Sequence, residues 1–116
     1  PDPPRSDEQF QADRTASLNA LRELLALAKD TSARVVVLQH AEIGEIQAGM
    51  QPGHADVSLA ATFAGVPRIQ LGPSFAESLR AGANPYRDSI HPTDTGQRII
   101  ANAIQEWIMS NRPLPQ

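Results

Sequence analysis

Residues 33–39 read ARVVVLQ, and positions 35–38 of that stretch are apolar and mostly β-branched, with no polar residue interleaved. A strand with one wet face alternates apolar and polar side chains, so an unbroken run predicts a parallel strand covered on both faces. Before it, DEQFQADRTASLNALRELLALAKD (7–30) places Phe10, Leu18, Leu21, Leu24, Leu25 and Ala28 mostly on one helical face. Arg14, Arg22, Glu23 and Lys29 fall where they stay solvated, so a long amphipathic helix is expected, capped by Ser6 and broken near Thr15 and Ser17.

After the run, HAEIGEIQAGMQPGHAD (40–56) reads as a Gly-containing loop, followed by a short helix over 57–64. GVPRIQLG (65–72) supplies a second strand with Val66, Ile69 and Leu71 as its apolar members, closed by Gly72 and Pro73. SFAESLRAG (74–82) predicts a brief helix or turn stopped at Gly82. The last helix, 93–110, carries Ile99, Ile100, Ala103, Ile104, Trp107 and Ile108 as a core stripe, with Pro113 beyond its end. The order helix, strand, helix, strand, helix is part of a layered α/β fold, its two strands parallel through a right-handed crossover. An interior-type run needs neighbours on both sides, so further strands are expected beside residues 34–38.

At 116 residues with 41% hydrophobic and 20% charged content, the chain has the composition of one globular domain. The expected organisation is an extended lead-in over 1–6, a domain over 7–112 and a tail over 113–116. Net charge is −3, and the nine arginines and one lysine form no run. That argues against nucleic acid as a partner and against a polybasic membrane patch. The apolar runs are too short to predict a membrane span. Without cysteine there is no disulfide, thiolate metal site or thiol nucleophile, and cytoplasmic and secreted or periplasmic locations both stay open. The chain starts at Pro1 rather than Met, which predicts a trimmed, processed or fragmentary polypeptide.

The stretch that bears chemistry is RDSIHPTDTGQRII (87–100). Ligands of open α/β sheets collect at the carboxyl ends of strands, and this stretch follows the second one. Asp88 and His91 stand three apart before a helix, with Pro92 fixing φ and Thr93 suited to cap it. An aspartate bonded to a histidine's Nδ1 fixes the tautomer and stabilises the imidazolium, leaving Nε2 as a proton acceptor. A bare Asp-x-x-His also has a plain structural reading, with Asp88 capping a turn and His91 on the surface. His40, Glu42, Glu45 and His54 could bind a divalent metal, but their spacing matches no standard site, and solvated loop residues are the default. No cofactor and no metal is expected. Arg87, beside the pair, suits either an anionic substrate group or a surface ion pair.

Asp88, His91, Pro92, Gly96 and the following QRIIANAI resemble the closing block of the SGNH (GDSL-type) hydrolase family, and the layout from about Asp7 onward is similar to the second half of that fold. The resemblance implies the C-terminal part of a flavodoxin-like three-layer α/β/α sandwich with parallel strands. It also implies a metal-free serine hydrolase of small-molecule esters or acylated substrates, with His91 as base and Asp88 as its orienting partner. His40 and Glu42 would border the substrate. The family's Gly-Asp-Ser nucleophile block and its oxyanion-hole Gly and Asn blocks should precede the first helix. None of Ser6, Ser17, Ser32, Ser58, Ser74, Ser78, Ser89 and Ser110 has the Gly-Asp-Ser setting. The expected partner is therefore an N-terminal half that supplies the serine. The rival expectations are a non-catalytic binding or assembly module that pairs through the edge of 34–38, with another protein or with its own copy, and a metal in the 40–54 loop.

Overall fold

The structure, a computed structural model, describes residues 3–31 and 34–111. The first two residues of the expected lead-in, Ser32, Pro113 and the tail over 113–116 lie outside the described residues. In chain order the elements are α1 (Asp7–Thr31), β1 (Val37–Gln39), α2 (Ile43–Ala48), α3 (Pro52–Ala64), β2 (Arg68–Gln70), α4 (Gly72–Arg80) and α5 (Asp94–Ser110). The expected piece of a flavodoxin-like three-layer α/β/α sandwich is overturned. The described residues are 65% helical, and their one sheet is a parallel pair, β1 beside β2.

Each strand is three residues long. The apolar run that predicted an interior strand divides its packing instead. Val35 and Val37 join the cluster of Leu25, Ala60 and Val66, while Leu38 joins that of Leu71, Phe75 and Tyr86. Apolar continuity marks an inward-facing segment without saying against what, and here residues 35–38 are half-buried, with helix residues rather than a wider sheet among their partners.

The chain forms two compact units. The first comprises residues 1–37 and 51–68, the second 38–50 and 69–116. In the first unit α1 packs on α3. Helix α1 is continuous through Thr15 and Ser17, without the expected break. Its start is a reciprocal cap: Gln9 N–H donates to Ser6 Oγ (3.2 Å), and Ser6 N–H donates to Gln9 Oε1 (3.0 Å). Helix α3 begins five residues before the predicted 57–64 segment, because Pro52 opens it rather than marking a loop. It ends at Gly65, whose φ of 68° lets its N–H turn back to Ala61 O and Thr62 O.

In the second unit α4 packs on α5. Gly72 and Pro73 close the strand as expected and also open α4. The cluster of Leu71, Phe75 and Tyr86 receives Ile43 and Ile46 from α2 and Ile99, Ile100 and Ala103 from α5. The rest of the predicted α5 stripe is less covered: Trp107 is half-buried, and Ile104 and Ile108 are exposed. No helix among the described residues is long and apolar enough to cross a membrane.

Candidate active site

The loop between α4 and α5 is closed by its own backbone. Arg87 N–H donates to His91 O (2.7 Å), Tyr86 and Pro92 form an antiparallel bridge, and Thr93 N–H donates to Pro85 O (2.9 Å). Asn84 Oδ1 accepts Tyr86 N–H at 2.9 Å, and Thr93 Oγ1 donates to Asn84 O at 3.0 Å. Thr93 also caps α5, accepting Gly96 N–H at 3.3 Å. Gly96 itself is required by proximity, since a Cβ there would overlap Pro85 O and Pro92 Cβ. The loop and the first turn of α5 are thereby held as one piece.

Within it, Asp88 and His91 meet. Asp88 Oδ1 accepts the backbone N–H of Ile90 (2.9 Å) and of His91 (2.7 Å), and Oδ2 lies 2.8 Å from His91 Nδ1. The His91 N–H, then the Ile90 N–H, then the imidazole hold the Asp88 carboxyl well below the usual carboxylate range. An ionised carboxylate only accepts, so the shared proton sits on Nδ1 and the neutral ring presents a bare lone pair at Nε2. Among the described residues nothing hydrogen-bonds that Nε2, and the side chains are open, His91 at 61% and Asp88 at 51% exposure. The turn-capping contacts weighed for Asp88 and its contact with the imidazole coexist, one oxygen serving each.

His40 reaches the backbone of this loop, and Glu42 stands at the start of α2. His40 Nε2 lies 2.7 Å from Ile90 O, and its ring meets Phe75 edge-on at 5.3 Å and Tyr86 at 6.0 Å. Glu42 caps α2, its N–H donating to Glu45 Oε1 at 3.2 Å. The capping pair Glu42 and Glu45, three apart, is the sequence signal for α2 that a loop reading passed over. Among the described residues no three His, Cys, Asp or Glu side chains gather where they could hold a metal. Arg87 is exposed, and its guanidinium pairs with none of the described residues.

No protein-family model, curated protein or solved structure matches this chain. The site therefore stands on its own geometry. Tyr86 is the residue that sequence reasoning left beside the pair without a role. It is buried, its hydroxyl donates to Ala41 O, and burial first and the charge of Glu45 second push its phenol up to about 12. Away from the pair, a cleft of about 410 Å³ in the first unit is walled by Phe10, Leu18, Leu21 and Val57. Its charged wall is two ion pairs, Arg5 with Asp13 and Arg14 with Asp56, the second two-pronged with one bond of 2.8 Å, so those charges already satisfy each other.

Proposed function

We propose that the chain is the His/Asp-bearing half of a serine ester or acyl hydrolase of SGNH type, completed by a polypeptide segment that brings a serine and an oxyanion hole. One observation carries the reading: Asp88 holds His91 by Nδ1 while Nε2 stays uncovered. The reading rests on that pair and on no layered sheet.

In the completed site His91 Nε2 takes the serine hydroxyl proton as the serine oxygen bonds to the acyl carbon. Collapse of the tetrahedral oxyanion breaks the ester C–O bond, and His91 gives the proton to the leaving alkoxide. Water then attacks the acyl-serine, its proton passing to the same nitrogen and on to the serine oxygen. Within this chain Ser58 and Ser78 donate their hydroxyls to the carbonyls of His54 and Ala83, and the Ser6 hydroxyl caps α1. Members of such a triad act as a unit, so the expected result is no turnover of p-nitrophenyl acetate by this chain alone. Robust turnover by the chain alone, lost in His91→Ala, would sink the half-enzyme reading. Mass spectrometry of the protein isolated from its own cells is expected to find a polypeptide carrying Gly-Asp-Ser.

A second reading has its own observation. Among the described residues β1 pairs with β2 alone, so each strand has an open edge. A binding or assembly module would use the β1 edge to add a partner strand or a second copy of the chain. In that case His91→Ala leaves the chain's biological role intact.

A further inference from the structure

We infer that His40 is a positioning residue for the Asp88–His91 pair, acting through the peptide unit that joins Ile90 to His91; its catalytic meaning rests on the reading of His91 as the base. A peptide unit is planar, so fixing its C=O fixes the direction of its N–H. The Ile90–His91 unit is held at both ends. Its carbonyl accepts from His40 Nε2 (2.7 Å), and its N–H donates to Asp88 Oδ1 (2.7 Å). The preceding unit is treated alike: Ser89 O accepts Ile43 N–H (3.0 Å), and Ile90 N–H donates to the same Asp88 oxygen (2.9 Å). Both amides that grip the carboxylate are thus aimed from behind by residues 40 and 43, at opposite ends of a four-residue segment.

That segment is itself anchored. Tyr86 donates its hydroxyl to Ala41 O, and the His40 ring lies against Phe75, which is fully buried, and Tyr86. His40 must carry its proton on Nε2 to bond a carbonyl. Bonds in series polarise one another, so the His40 donor also strengthens the His91 N–H as a donor to Asp88. Without it the Ile90–His91 plane is free to rotate, Asp88 loses its aim, and the Nδ1 proton of His91 is no longer fixed. The Ile43 contact is backbone, which leaves His40 as the side chain on which this arrangement depends.

The test is two-bond proton–nitrogen correlation NMR on the full chain with labelled histidine, at an alkaline pH where imidazoles are neutral. The chain has three histidines, so the patterns are assignable. In the wild type His40 is expected as the Nε2–H tautomer and His91 as Nδ1–H. His40→Phe keeps an aromatic ring against Phe75 and removes the donor. There His91 is expected to become a mixture of tautomers and its backbone amide proton to move upfield. His40→Gln, which retains a donor, is expected to keep the wild-type pattern. A wild-type His40 carrying its proton on Nδ1 overturns the inference whatever the variants do. So does a folded His40→Phe in which His91 remains wholly Nδ1–H. If His40→Phe does not fold, the wild-type tautomers and His40→Gln decide. These readouts need no turnover, so a failed search for the serine-bearing half would remove the hydrolase reading while leaving the positioning role standing.

Discussion

Asp88 engages both carboxylate oxygens within one turn, and its depressed pKa follows from three donors rather than from burial. The sign of the linkage follows. A carboxyl whose folded pKa lies below its unfolded value, near ~3.9, stabilises the fold above that value and loses the contribution as pH falls through the lower folded pKa. The Asp88 carboxyl carbon is expected to titrate well below the ordinary carboxylate range in a carbon-detected NMR series, and Asp88→Ala to free the His91 tautomer. Tyr86 has the opposite sign. Its raised pKa favours the neutral phenol in the folded state, a stabilisation complete below the unfolded value near ~10 and lost as pH rises toward about 12. As the single tyrosine, it gives a clean phenolate absorbance titration, expected at about 12 in the folded chain and near ~10 in denaturant. Tyr86→Phe leaves the Ala41 carbonyl without that donor and is expected to cost about 1–3 kcal/mol in urea unfolding.

At the scale of elements, α5 shows how a helix start positions chemistry. Thr93 caps it, Asp94 complements its dipole, and buried Gly96 lets the first turn close on Pro85 and Pro92. Gly96→Ala forces a Cβ against a backbone oxygen, with an expected loss of about 1–3 kcal/mol and shifted amide resonances over 86–91. Glycine in the closing block thus has a steric reason independent of any resemblance. The helices with clear period and cap were legible: α1 from its Ser6 start, and α5 from Thr93 and its isoleucines. Helix α2 was not, since six residues carry too little period to outweigh Gly44 and Gly49. Neither was the start of α3, where Pro52 was given its loop meaning instead of its helix-opening one.

At the scale of the whole molecule, the described residues bury two clusters, one around Leu25, Ala60 and Val66 and the other around Leu71, Phe75 and Tyr86. The second carries the site's scaffold. Phe75 is fully buried between residues of that cluster and the His40 ring, so Phe75→Ala is expected to cost about 3–5 kcal/mol and to blur the His91 tautomer as well. Under the proposed hydrolase reading, the expected lack of turnover by the isolated chain belongs to this scale too, because Nε2 meets no serine hydroxyl among the described residues.

The sequence by itself determined what is local: the long helices and their caps, and the Asp-x-x-His spacing that closes on itself within one turn. Those features depend on contacts a few residues apart, which the chain order already specifies. The tertiary structure decided how many strands the sheet has, which cluster buries each residue of the run at 35–38, and what His40 does. An apolar run is equally satisfied by a neighbouring strand or by a helix, and a histidine fifty residues from Ile90 bonds its carbonyl only once both are folded against Phe75 and Tyr86.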